Sequence, residues 1–479
     1  MSRIYVFGVG GTGSRVLRAL TMVLSAGVKI NTDEIVPIII DPDESAGDLT
    51  RTKSLMQAYN SVYDKISHSA ESKNKFFRTK INLEILPSVT LPIVNTKNED
   101  FKDYIKLSEM KDEYGIHTSN YALASLLFSR KNLNANMEVG FKGHPNIGSV
   151  VLNQISMSNE FRSIVGSFNQ DDRIFIISSI FGGTGAAGFP LLLKNLRAIK
   201  QDFSGNSFAK NSIIGAVSVL PYFKVTPDSE SEIDSSTFVS KTKAALSYYE
   251  RNMTEANALY YVADNVSSKP YDNSEGGASQ INNAHFVELV SALAIVNFSW
   301  MTDLQTNDGK PKQTVYKEFG INNDPAQEIS FEALEVITNQ IIKKPFTQFT
   351  LLCKYLDRQL NSSYTLQPWA IEHKVEDIMF SSIPCLTVIQ NAWYQWLGEM
   401  AQNSRAFMPF DLINDEQLFE LIKDGEAPKY SWKKNYDLFD DYLNDLRKKV
   451  KTDKSKPLQS FVELFFLTTE KLVKTKFRM

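Results

Sequence analysis

The chain is poor in cysteine: Cys353 and Cys385 are the only two in 479 residues. They lie far apart with no paired spacing, which excludes a disulfide framework and a cysteine-type zinc site and favours a reducing compartment. No G-x-x-x-x-G-K-[ST] stretch occurs anywhere, which argues against an ordinary phosphate-loop ATPase. Neither sign of charge dominates. Lys and Arg number 52 against 55 Asp and Glu, for a net charge of −3, so no global field favours nucleic acid or an anionic membrane as partner. The basic stretch from Arg447 to Lys456 reads as a solvated helix end and loop. Long apolar runs are missing too: "FVELVSALAIVNFSWM" carries Glu288 and is too short for a bilayer, so a buried core helix is expected. The opening "MSRIYVFGVGG" runs into a strand and a glycine turn without the charged region, apolar stretch and cleavage site of a signal peptide. These absences lead to an expectation of a soluble, cytoplasmic protein.

What is present is ordinary globular composition, with 43% hydrophobic and 22% charged residues. That is enough for sizeable cores, and the length suggests two domains. Over the first 300 residues, β-branched runs alternate with helical patterns, as expected of an α/β fold whose parallel sheet is flanked by helices. "RIYVFGV", "IVPIIID", "DRIFIISS", "NSIIGAVSVL" and "NALYYVAD" are the clearest strands, and "SVTLPIV" is a further candidate. A central core helix is expected from about Ile281 to Trp300. Breaker-rich stretches then place a boundary near residue 302. This gives an α/β domain over 1–280, the central helix over 281–302 and a helix-rich C-terminal domain over 303–479.

Two glycine turns carry the chemistry. "FGVGGTGSRVLRAL" places Gly8, Gly10, Gly11, Thr12 and Gly13 between a strand and a helix, where backbone amides and the positive end of the helix dipole suit phosphate. It has the G-x-G-x-x-G form of a dinucleotide turn, with Asp41 ending the next strand. The alternative is glycine kept only for tight helix–strand packing. "SSIFGGTGAAGFPLLL" repeats the strand–turn–helix arrangement about 170 residues later with Gly182, Gly183, Thr184 and Gly185. Two helix N-termini are thereby expected to converge on one polyphosphate. Thr184 would add a hydroxyl, Ala186 and Ala187 would keep the first turn small, and Pro190 is expected in the opening turn of its helix.

The second turn resembles the G-G-G-T-G-[ST]-G signature of the tubulin/FtsZ superfamily, and within it the bacterial tubulin-like proteins. Four middle positions agree, while Ala186 stands where the family has a hydroxyl. Other loops follow in the family's order. "GFKGHPNIG", with Gly143, is similar to the loop that meets the terminal phosphate. "LPYFKVTP" resembles the segment after the next strand. "YYVADN" presents Asn265 beside Asp264, and "QINNAHFVELVSALA" resembles the start of the central helix, where Asn282 or Asn283 would read a guanine edge. An amide can both donate to and accept from that edge, although helix capping is an equally good use of either asparagine. The resemblance implies bound GTP or GDP with Mg²⁺, and a nucleotide state that controls self-assembly or partner binding.

In the family, acidic residues after the central helix complete hydrolysis in the next subunit by positioning water. Here "FSWMTDLQTNDGKP" offers Asp303 and Asp308 without the family motif, and a solvated loop is the other reading of both. GTP binding is therefore better supported than hydrolysis. His285 and Glu288, three apart on one helix face, suit an ion pair, a ligand pair or a polar core contact. Two other classes stay open. "GVGGTGS" with "IIIDPDESAGDLTRT" resembles the ThiF and ubiquitin-activating adenylating enzymes, which would employ Asp41, Asp43 and Arg51. A scaffold that keeps the fold without turnover is the third.

Overall fold

The computed structural model describes residues 2–66, 68, 72–199, 208–226, 235–265, 270–271, 276–306, 312–320, 328–360, 366–379, 381–413, 417–426, 428, 435–452 and 456–479. Seven strands form one sheet: β1 (Arg3–Val9), β2 (Glu34–Ile40), β3 (Lys80–Ile81), β4 (Arg173–Ser179), β5 (Ile213–Val219), β6 (Ala258–Ala263) and β7 (Val315–Gly320). Their order is β3-β2-β1-β4-β5-β6-β7, and every pairing is parallel. β1, β2, β4 and β5 are buried along almost their whole lengths, which their runs of Ile, Val and Phe allow because helices cover both sheet faces.

Among the longer helices, α1 (Gly10–Ser25), α2 (Gly47–Tyr63), α3 (Ser119–Leu127), α4 (Pro145–Val151), α5 (Asn159–Gly166), α6 (Gly183–Arg197) and α7 (Phe238–Asn252) precede the central helix α8 (Phe286–Trp300). The C-terminal part is helix-rich, as expected, with α9 (Val336–Arg358), α10 (Ile383–Ala401), α11 (Asn435–Leu446) and α12 (Pro457–Lys476). Its core is aromatic: Trp369, Trp393 and Trp396 are fully buried, and Tyr355 packs on Phe439 and Phe465 with ring centroids 4.7 and 5.0 Å apart.

Three local expectations are corrected. "SVTLPIV" forms no strand; only Thr90 bridges to Ile39. Pro37 sits in β2 opposite Val6, and its missing N–H interrupts the outer ladder between the Ile35–Ile81 pair and the Ile39–Thr90 bridge. Pro190 lies inside α6 rather than in its opening turn. The carbonyl it crowds belongs to Ala186, four residues back, where a small side chain leaves room. The central helix begins at Phe286, five residues later than its apolar pattern suggested, because His285 and Glu288 close a capping box there. β7 also follows the expected boundary near 302 yet completes the main sheet beside β6.

The strand order reverses between β1 and β4. The chain builds outward from β1 through β2 to β3, then returns to lay β4 on the other side of β1. Such a switch point leaves a crevice beyond the carboxyl ends of the two strands, where open α/β sheets bind ligands.

Candidate functional site

Both glycine turns lie in that crevice and touch. Gly10 has φ +71°, a conformation that favours glycine, and a Cβ built on it would lie 3.4 Å from the Thr184 Cβ and 3.7 Å from the Gly185 nitrogen. α1 starts at Gly10 and α6 at Gly183, so two helix N-termini open side by side with their amides unpaired within the helices.

The glycines divide by use. A Cβ on Gly13 would fall 2.3 Å from the Gly8 carbonyl carbon, and one on Gly185 would fall 2.6 Å from the Ser179 carbonyl oxygen. These two let each helix press on the strand before it. Gly182 is tight for a different reason: its Cβ would lie 2.9 Å from the Ser179 Oγ. Gly11 is unlike them, because a Cβ there would meet nothing within 4 Å and its φ is not positive. Neither packing nor backbone geometry requires glycine at that point, so its effect is to leave the first turn of α1 bare. Thr12, beside it, is buried.

The loop before α4 roofs the second turn. Gly140 and Gly143 have φ of +96° and +77°, and a Cβ on Gly183 would lie 3.0 Å from the Gly143 nitrogen and 3.1 Å from the His144 nitrogen. Ala187 serves packing rather than phosphate access, since a Cβ on Gly148 of α4 would come 2.9 Å from its methyl. Ala186 and Ala187 line a cavity of 420 Å³ with Phe181 and Lys241 on the flank of α6.

Asp41 follows the last residue of β2 and is buried. Burial raises its pKa to about 7, although a hydrogen bond from the Asp43 amide (3.1 Å) works in the other direction. Asp43 is a latch: its carboxylate accepts from the Ser45 amide and hydroxyl and, at 2.6 Å, from the Gly277 amide. The segment 276–282 is thereby pinned over the start of α2, with Gly47 and Asp48 donating to the Gly277 and Gln280 carbonyls. The Gly-Gly pair at 276–277 was the visible signal for this strap, both residues having positive φ.

Because Asp41 holds its proton when folded while the unfolded chain has already ionised, the folded state binds more protons between about pH 4 and 7, and stability falls as pH rises through that window. Asp41→Asn is expected to flatten the fall and to be more stable than wild type at pH 8 by up to about 4 kcal/mol. Urea titrations at pH 4 and pH 8 check this; an unchanged pH slope would contradict it.

The other predicted residues lie in several places. Asn282 packs against Asp48 through its backbone and side-chain nitrogens, both at 3.4 Å. Asn283 donates to Gln402 at 3.2 Å. Neither caps α8. That role belongs to His285, whose Nδ1 accepts from the Val287 amide and whose pKa burial lowers to about 3, so it is neutral. The 3.8 Å approach of His285 to Asp264 is therefore not an ion pair. Asn265 is exposed beyond β6, and Asp264 is paired with Arg405 at 2.8 Å. Asp303 is exposed with φ +60° and pairs with Lys312. It follows the end of α8, where Arg173 of β4 donates to the Phe298 and Met301 carbonyls, and so stands at the amino ends of the strands, opposite the glycine turns. Asp308 lies outside the described residues.

Sequence reasoning missed a buried ionic network behind the site. Arg15 of α1 pairs with Glu288 at 2.7 Å and Asp48 at 3.4 Å, and donates to Tyr222 at 2.7 Å. Glu399 of α10 receives Arg18 at 2.7 Å and Arg51 at 2.9 Å, tying the C-terminal helices to α1 and α2. Arg51 is engaged with Asp48, Glu399 and the Asn282 carbonyl, which leaves the adenylating pattern without its arginine. Among the described residues no group of three His, Cys, Asp or Glu side chains could hold a metal ion, and no helix is long and apolar enough to cross a membrane.

No protein-family model matches the chain, and no curated protein matches it in sequence. Solved structures similar to it include CetZ2 from Haloferax volcanii, a GTPγS-bound protofilament, with 12% identity and TM-score 0.28 over 63% of this chain and 60% of that one. CetZ from Methanosaeta thermophila matches with 15% identity and TM-score 0.30 over 64% and 57%. The chain thus spans less than two thirds of the length of these structures.

Proposed function

We propose that the switch-point crevice binds a guanine nucleotide, and that its occupancy controls self-assembly or partner binding. The supporting observation is the contact between the Gly10 and Thr184–Gly185 turns at adjacent strand ends. Gly10, Gly11, Thr12 and Gly13 would hold phosphate oxygens through backbone amides from one side, and Gly182, Gly183, Thr184 and Gly185 from the other, under the Gly143 loop. Asp41, whose pKa burial raises to about 7, would donate a hydrogen bond in its protonated form. Asn265, Asn282 and Asn283 are the proposed contacts to the nucleoside. Mg²⁺ would enter with the triphosphate, held by phosphate oxygens and water. Asp43 is engaged by Ser45 and Gly277, and the described residues hold no group of three His, Cys, Asp or Glu side chains suited to a metal ion, so the phosphate oxygens and water would supply most of the ligands.

Chromatography of nucleotide released from the purified protein is expected to show GTP or GDP. Adenine nucleotide would favour adenylating chemistry, and none would favour a scaffold; either result overturns this reading. Asp303 faces away from its own crevice, so any water-positioning role requires a second copy. GTP turnover per molecule is then expected to rise with protein concentration, and a constant specific activity would remove Asp303 from the reaction.

A further inference from the structure

Residues 107–131 leave the body of the protein as an arm in which Ala124 is the only buried residue. The arm is a short turn closed by the Lys111–His117 bridge, followed by α3. The two parts are held together by His117 stacked on Tyr121 at 3.7 Å.

Its chemistry does not suit solvent. α3 reads SNYALASLL, nine residues without a charge. Leu123, Leu126 and Leu127, at i, i+3 and i+4, are 55, 84 and 64% exposed, and Tyr114 and Ile116 of the adjoining turn are 79 and 63% exposed. Together these five side chains offer on the order of 600 Å² of exposed surface, spread over the helix and the turn that His117 and Tyr121 tie to it, against the ~800 Å² that one partner contributes to a standard-size interface.

We infer that this arm is a homodimer interface, in which α3 packs antiparallel on α3 of a second copy about a two-fold axis. The flanking charges favour this occupant. Asp112 and Glu113, in a turn that also holds Lys111, precede the helix, and Arg130 and Lys131 follow it; all five are exposed. An antiparallel pair sets the basic end of each arm against the acidic turn of the other, so one surface is complementary to itself. Ala122 and Ser125 are small enough for the helices to approach closely.

Light scattering over a concentration series, without added nucleotide, is expected to show a dimer. Leu126→Glu with Leu127→Glu should weaken it at least ten-fold and lower the melting temperature only to a concentration-independent value, the variant still folding cooperatively, because neither side chain is buried in one copy. Arg130→Glu should also weaken the dimer, and adding Glu113→Lys should restore it. Leu123→Cys, near the two-fold axis, should form an oxidised cross-link absent from wild type. A wild-type monomer at all concentrations, a dimer indifferent to Leu126→Glu and Leu127→Glu, or open-ended polymers in place of dimers would each overturn the inference. It does not rest on the nucleotide reading.

Discussion

Replacing Arg15 by methionine is expected to cost about 3–5 kcal/mol, because it strands a buried carboxylate. Against the 5–15 kcal/mol typical of whole domains, that is a large share. Arg15, Glu288 and Asp48 are all buried. Burial raises the Glu288 pKa, and the Arg15 guanidinium at 2.7 Å is the chief opposing influence. Without it Glu288 takes up a proton more readily in the folded state, so the variant's stability deficit should shrink as pH falls. Asp48 retains Arg51 at 2.7 Å, so Glu288 bears most of the loss. Tyr222 also loses a partner, because its hydroxyl accepts from Arg15 and donates to Glu288 at 3.0 Å. The triple change Arg15→Met, Glu288→Leu, Tyr222→Phe removes all three polar groups and should recover most of the stability apart from the capping-box hydrogen bond. Urea denaturation of the single and triple variants at two pH values checks this. An Arg15→Met protein as stable as wild type would show that water reaches Glu288 in solution.

Gly13→Ala and Gly11→Ala, two residues apart, should act in opposite directions on stability. A methyl on Gly13 would overlap backbone atoms of Gly8 at 2.3 and 2.6 Å, and no side-chain rotation relieves it. A loss of more than about 3 kcal/mol is expected, through displacement of α1 from β1. A methyl on Gly11 meets nothing and reduces the freedom of the unfolded chain, so the apo protein should gain up to about 1 kcal/mol. The same methyl stands over the amides proposed to hold phosphate, and GTP affinity should fall at least about ten-fold, or about 1.4 kcal/mol. Thermal melts with and without GTP separate the two effects. Gly11→Ala with unaltered GTP affinity would place the phosphates elsewhere.

The glycine turns were legible in the sequence because they rest on local chemistry. In each a strand, a glycine-rich turn and a helix follow one another within a dozen residues, and no distant partner is required to recognise them. Strands β1, β2, β4, β5 and β6 were legible for the same reason. β3 was not, since a two-residue strand carries no period and Pro37 breaks the ladder beside it. β7, "VYKEFG", has a polar middle because it is the edge of the sheet, and its membership depends on β6.

By itself the sequence determined an α/β chain with two glycine turns, each between a strand and a helix, and an apolar central helix, because hydrophobic period and glycine placement act over short stretches. Only the tertiary structure decided that the two turns meet, since the return of β4 to the side of β1 spans about 160 residues. It also decided that His285 caps a helix while Arg15 and Glu288 neutralise each other. Charges far apart in the chain become partners only when folding removes the water between them, and no local pattern records that choice.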